Sequence, residues 1–211
     1  MRWFHHSRAA ISLALLTCCL SLSAQVRQSS CQPQQFLRND YQRQVSVWSP
    51  DQSRRVQLRK NFKLRVESGG IGIGEFGLVN DPVNTSIKWS SDSRSFYVEM
   101  SADTIGVQLV AYTVIGHTLL KLKGPEVVAR EFEEKHSCKS HENNLHVVRW
   151  EDGSDRLLLM PEVNDASDCG DEKGYREGFL VDAESGKIVK QYPPEVIEAE
   201  WKKCWPDVPG R

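Results

Sequence analysis

The chain has 211 residues, 39% of them hydrophobic, with 27 Lys+Arg against 28 Asp+Glu. This is the composition of an ordinary soluble globular protein, long enough for one well-cored domain and short for two. The near-neutral balance supplies no strong basic field, so nucleic acid and anionic lipid are not the expected partners.

The N-terminus reads as an export leader. Arg2, His5, His6 and Arg8 form a short basic start, Ala9 to Leu22 is a mostly apolar run, and small residues at Ser21, Ser23 and Ala24 suit cleavage. Residues 1–24 are therefore expected to be removed, leaving 187 residues with 25 basic and 28 acidic side chains, a net of −3. The apolar run is shorter than the roughly 20 residues a membrane span needs, and no membrane span is expected after leader removal. Two alternatives stand beside cleavage. One is a retained anchor. The other is lipidation at Cys18, where Leu15-Leu16-Thr17-Cys18 resembles a lipoprotein box but carries Thr17 in place of Gly, Ala or Ser. The expected localisation is exported, periplasmic or extracellular.

Four cysteines remain after the leader: Cys31, Cys138, Cys169 and Cys204. In an exported chain they read as up to two disulfides with three connectivities. The preferred pairing is Cys31–Cys204, tying the ends, and Cys138–Cys169, clamping an insertion to a loop; free thiols are the alternative. No C-x-x-C spacing occurs, so the sequence offers no zinc ribbon or thioredoxin-type site.

Residues 25–44 are rich in Gln, Ser and Arg and read as a mobile or loosely docked arm. A repeat then begins. Its copies are Trp48-Ser49-Pro50-Asp51-Gln52-Ser53-Arg54, Trp89-Ser90-Ser91-Asp92-Ser93-Arg94 and Trp150-Glu151-Asp152-Gly153-Ser154-Asp155-Arg156. The tryptophans are 41 and 61 residues apart, and the longer gap holds an extra segment, 124–144. In each copy a short strand ends at Trp, a polar turn follows in which Asp can bond its own backbone, and a β-rich strand begins. Val56/Leu58 and Phe96/Val98/Met100 alternate as half-buried strands do. Hairpins are expected from Gln108–Val114 into Thr118–Leu122 and from Gly178–Asp182 into Lys187–Gln191. Pro125–His136 and Pro194–Cys204 each start with Pro and place apolar residues four apart, as amphipathic helices do.

The W-S-P-D-x-S-R pattern resembles the blade repeat of the Tol-system periplasmic β-propeller protein and of prolyl-oligopeptidase-type propellers. The second copy lacks the Pro and the third has Glu-Asp-Gly. The resemblance implies a structural role in the turn for Trp48, Asp51, Trp89, Asp92, Trp150 and Asp152, with the three tryptophans as core, and no catalytic role. The chain is too short for a full six- or seven-bladed ring.

Other motifs read blandly. Gly72-Ile73-Gly74-Glu75-Phe76-Gly77 matches G-x-G-x-x-G, but Asn80-Asp81-Pro82 follows where a dinucleotide site needs a helix. It is expected to be a Gly-rich bent strand or loop. His136, Cys138, His141 and His146 lie within 11 residues, at spacings that suit neither one helix face nor a zinc finger. The acidic run Asn164–Glu172 has Gly170 at the sixth place of an EF-hand counted from Asp165, but Arg176 at the twelfth. No nucleophile–base set assembles, and no cofactor or metal is expected.

The expected fold is all-β: propeller-like blades of antiparallel strands, three of them clear, with a partial fourth as an option. The organisation is leader 1–24, arm 25–44, repeat domain 45–192 with its insertion, and a C-terminal helix and tail 193–211. The expected function is that of an exported non-catalytic interaction or structural module, with a protein as partner. The alternative is a small exported hydrolase or glycan-binding protein using the 131–146 insertion and the 163–175 acidic loop. Blade closure would come from a four-bladed ring, from an open stack capped by the C-terminal helix, or from a second molecule.

Overall fold

The computed structural model describes residues 36–38, 46–59, 63–77, 84–102, 106–136, 143–151, 153–165 and 167–201. They form three antiparallel sheets. Sheet I contains β2 (Ser46–Trp48), β3 (Arg54–Arg59), β4 (Lys63–Ser68) and β5 (Ile71–Gly77). Sheet II contains β6 (Asn84–Trp89), β7 (Ser95–Ala102), β8 (Gly106–Ile115) and β9 (Thr118–Lys121), with β1 (Phe36–Arg38) added at the β6 edge. Sheet III contains β10 (Asn144–Glu151), β11 (Arg156–Glu162), β12 (Gly178–Asp182) and β13 (Ile188–Tyr192). Helix α1 (Gly124–Lys135) joins sheets II and III. Apart from β1, each strand pairs with its neighbours in sequence, as short turns between alternating strands dictate.

Of the arm 25–44, expected to be mobile or loosely docked, only Phe36–Arg38 is among the described residues, and it pairs antiparallel with Asn84–Ser86. An unpaired β6 edge offers free N–H and C=O groups, and even a Gln-rich arm can satisfy them with its backbone. The C-terminal segment begins with an α-helical turn at Pro194–Val196 that passes directly into a π-helical segment, Ile197–Trp201, less regular than its pattern suggests; residues 202–204 lie outside the described residues.

Period-2 alternation explains how the sheets stack. In sheet II, Phe96, Val98 and Met100 face Val47, Val56, Leu64 and Val66 of sheet I. The alternate residues Tyr97, Leu109 and Ala111 face Leu145, Val147, Leu157 and Leu159 of sheet III. Sheet II is thus apolar on both faces. Helix α1 inserts Val128 and Phe132 into the second of these cores. A bulge between Val147 and Arg149 puts Val147 and Trp150, three residues apart, on the same face.

The back of sheet III shows the same alternation, with Leu158 and Met160 covered by Ile197 and Trp201 of the C-terminal segment. Gly178 makes that fit possible. A Cβ there would lie 2.2 Å from Cη2 of Trp201, whose other neighbour is Tyr192, with ring centroids 4.9 Å apart. Gly178→Ala should therefore displace Trp201 and cost about 1–3 kcal/mol, as overpacking does. A lowered urea midpoint is the expected result, and an unchanged one would show that Trp201 is not seated there.

The G-x-G-x-x-G run is β5, an edge strand rather than a helix-opening loop. Its register against β4 shifts between Gly72 and Gly74. Leu119 of β9 packs against Gly74, where a Cβ would come within 2.8 Å of its side chain. The glycines let sheets I and II approach at their edges.

Candidate functional site

The three repeat turns lie in a row at one end of the sheets and are bonded in sequence. In the first, the Ser49 hydroxyl donates to Asp51 Oδ1 at 2.6 Å and the Ser53 N–H donates to the same oxygen at 3.0 Å. In the second, the Ser90 hydroxyl and the Arg94 N–H do the same for Asp92, at 2.6 and 3.1 Å. Gln52 and Ser93, each just after the aspartate, take the left-handed conformation, with φ of 59° and 62°. The turns then link. The Asp51 N–H donates to Ser93 Oγ at 3.0 Å, and Arg54 donates to the Ser93 carbonyl at 2.7 Å. Ser154 donates to Asp92 Oδ2 at 2.7 Å, and Arg94 pairs with Asp155 at 3.3 Å.

These bonds account for the acidity of the two aspartates. Hydrogen bonds from Ser49 and then the Ser53 backbone hold Asp51 at about 2. Burial works against ionisation of Asp92, but bonds from Ser90, Ser154 and Arg94 outweigh it and keep its carboxyl well below the usual range.

The tryptophans obey the same rule of succession, with one exception. Trp89 is 6% exposed and donates its indole N–H to the Val47 carbonyl at 3.2 Å. Trp150 is partly buried and donates to the Lys88 carbonyl at 3.4 Å. Val47 and Lys88 each immediately precede the tryptophan of the sheet before. Trp48 is 51% exposed, so the expectation that all three tryptophans are core is wrong for the first. Among the described residues its sheet has no predecessor in the stack, and its ring instead lies beside the Arg55 guanidinium, 5.2 Å from the centroid. Asp152 of the third copy lies outside the described residues.

Beside the turn row, between sheets II and III, runs a cleft of about 340 Å³ lined by Arg94, Thr113, Asp155, Arg156, Asp182 and Glu184, among others. Its charges are largely engaged with one another. Arg94 holds Asp92 and Asp155, and Asp182 accepts from both the N–H and the hydroxyl of Ser185 at 2.8 and 2.6 Å.

At the opposite end of the sheets, the fold assembles a charge chain that sequence spacing does not announce. Glu99 of β7 reaches β10, where Oε2 accepts the Val147 N–H at 3.0 Å and Oε1 lies 3.5 Å from Nδ1 of His146. The other imidazole nitrogen, Nε2, lies 3.4 Å from Glu162. Glu162 accepts from Arg176 at 2.7 Å, and Arg176 lies 3.6 Å from Glu198 on the C-terminal segment. The signs alternate along the five groups. Burial alone would lower the His146 pKa, but Glu162 and Glu99 outweigh it and raise it to about 9. Burial would likewise raise Glu162, and His146 with Arg176 holds it at about 2 instead. The two carboxylates favour the protonated form of His146, and an imidazolium has no lone pair to offer a proton or a metal ion.

The other candidate residues are placed as follows. His136 ends α1 with Nδ1 3.2 Å from Glu172 and its ring 4.7 Å from that of Tyr175. The end of α1 therefore meets the acidic loop. Cys169 in that loop is disulfide-bonded. Cys31, Cys138, His141 and Cys204 lie outside the described residues. Non-reducing peptide mapping is expected to return Cys169 joined to Cys138, the cysteine that follows α1 by the fewest residues; Cys169 joined to Cys31 or Cys204 would refute that pairing. Among the described residues, no three His, Cys, Asp or Glu side chains form a group that could hold a metal ion, and no helix is long and apolar enough to cross a membrane. No protein-family profile matches the chain, and no curated protein matches it in sequence.

Proposed function

We propose that this protein is an exported, non-catalytic interaction module whose sheets are propeller-like blades of the kind its W-S-P-D turns resemble, arranged as an open stack. The observation that carries this reading is the commitment of its reactive side chains to structure. Asp51 and Asp92 are consumed in linking turns, and His146 is held between Glu99 and Glu162. What remains available is surface. Capture of the mature chain's partners from its own cell envelope, after cross-linking, tests the reading. A reproducible protein partner that competes with excess untagged chain supports it. Turnover of an ester, peptide or glycoside substrate by the purified chain would count against it.

The enzyme or glycan-binding alternative keeps one observation in its favour. The 131–146 insertion and the acidic loop share a face through His136, Tyr175 and Glu172. His136→Ala separates the readings, since loss of a measurable hydrolytic or glycan-binding activity in that variant would favour the alternative.

A further inference from the structure

The last strands of the three sheets, β5, β9 and β13, each have a strand neighbour on one side only. Such an edge is a template for another strand, and proteins commonly blunt it by brevity or with lysine. β9 has four residues and ends in exposed Lys121, and β13 carries exposed Lys190 at its centre. β5 uses neither device. It is the longest of the three, with seven residues, and holds no lysine, arginine or proline. Its one charge, Glu75, is answered by Lys63 of its own sheet at 3.2 Å.

β5 is also open. None of its residues is buried, and Ile71 is 59% exposed. Beyond the ladder to β4, its backbone groups have no hydrogen-bond partner among the described residues. The bulge falls between Gly72 and Gly74, so Gly74–Gly77 keeps a regular register against Lys63–Val66. Two of the glycines are explained within the fold. A Cβ at Gly74 would meet Leu119, and one at Gly72 would meet the Arg65 side chain, but one at Gly77 would meet nothing. Glycine in a strand also lets a second backbone approach closely, and that is the role left for Gly77.

The side chains beside this edge say what kind of strand fits. The core between sheets I and II runs out to it through Ile73, Phe76, Tyr112 and Leu119, all only partly buried. The rings of Phe76 and Tyr112 lie 4.6 Å apart. A strand laid along β5 would turn alternate side chains towards this shelf and the others away from it, so its shelf-facing residues are apolar.

We propose that β5 accepts an extended segment of a partner protein as a fifth strand of sheet I, bonded through its backbone along Gly74–Gly77, with apolar side chains at alternate positions over Phe76 and Leu119. Main-chain bonds supply the affinity in such strand addition, and the alternate side chains supply the selectivity. This rests on the interaction-module reading and names how the partner is held. The test is fluorescence anisotropy of the full mature chain with a labelled peptide of four Val-Thr repeats and a lysine at each end. Wild type should bind it with a Kd below about 1 mM. The same peptide N-methylated throughout its repeats keeps every side chain but loses its backbone donors, and should bind about tenfold or more weakly. Gly77→Lys gives β5 the edge lysine that β9 and β13 have, and should cost about tenfold or more in affinity. Because a Cβ at that position meets nothing, the melting temperature of the variant should hold or rise, so lost binding cannot be lost folding.

Absence of binding up to about 1 mM peptide overturns the proposal, as does equal affinity for the methylated peptide or equal affinity of the Gly77→Lys chain. A concentration-dependent dimer that Gly77→Lys abolishes, with no peptide binding, would assign the edge to a second copy and also overturn it. Envelope capture of a protein partner that persists in Gly77→Lys would overturn this edge assignment while leaving the module reading intact.

Discussion

Replacing His146 by glutamine is expected to cost the fold about 3–5 kcal/mol, the usual penalty when one member of a buried ion pair is removed. Glutamine carries no charge, so Glu99 and Glu162 would face each other without a cation between them. The pH dependence separates this from a simple packing loss. The folded-state pKa of His146, about 9, lies above its ordinary 6.5. Its contribution is therefore complete below pH 6.5 and is lost as pH rises through 9. Glu162 runs the other way, with a folded-state value of about 2 against 4.5. Its contribution is complete above pH 4.5 and is lost as pH falls towards 2. Urea midpoints of the wild type should therefore be highest between these limits and decline towards pH 9. The His146→Gln variant should be destabilised at pH 6 and lack that alkaline decline. A wild-type midpoint unchanged between pH 6 and 9.5 would show that the imidazole carries no charge in the fold.

Truncating two repeat-equivalent tryptophans should give opposite results. Trp89 lies between sheets I and II, its ring 4.8 Å from that of Phe96. Trp89→Ala should cost about 3–5 kcal/mol, as loss of a buried aromatic does, and the variant also forfeits the bond to the Val47 carbonyl. Trp48, half exposed at the end of the stack, should tolerate the same substitution within about 0.5 kcal/mol, as surface positions do. Equal losses at the two sites would contradict the directional stacking described above. Paired thermal melts measure both.

Much of this architecture was legible because it is local. Val56/Leu58 and Phe96/Val98/Met100 alternate, and Asp51 and Asp92 sit in turns whose partners are two residues away. The hairpins of sheets II and III and the extent of α1 followed from Gly, Pro and the spacing of apolar residues. Whatever depends on which sheet lies next to which was hidden. Equivalent positions in the repeat gave no sign that Trp48 is exposed while Trp89 is buried, because exposure there is a property of being first. The charge chain was hidden for a related reason. Glu99 and His146 are 47 residues apart and meet across two sheets, and His146 and Glu162 become diagonal neighbours only once the β10–β11 register is known. The histidine cluster seen in the sequence drew attention to short-range neighbours, whereas the fold pairs His146 with carboxylates from elsewhere. The strand in the arm was missed because β1 pairs through its backbone, and its composition carries no alternation.

The pairing of β1 with β6 also bears on the order of assembly. Every other strand partnership joins segments adjacent in the chain, which keeps contact order low and lets each sheet form from a short stretch. β1 and β6 enclose the whole of sheet I between them. Joining them closes a loop of more than forty residues, and its entropic cost is repaid only by contacts already made on either side. Sheet I must in effect be stitched into sheet II from behind. The central sheet, which both cores depend on, thus gains its last strand from the part of the chain that comes first.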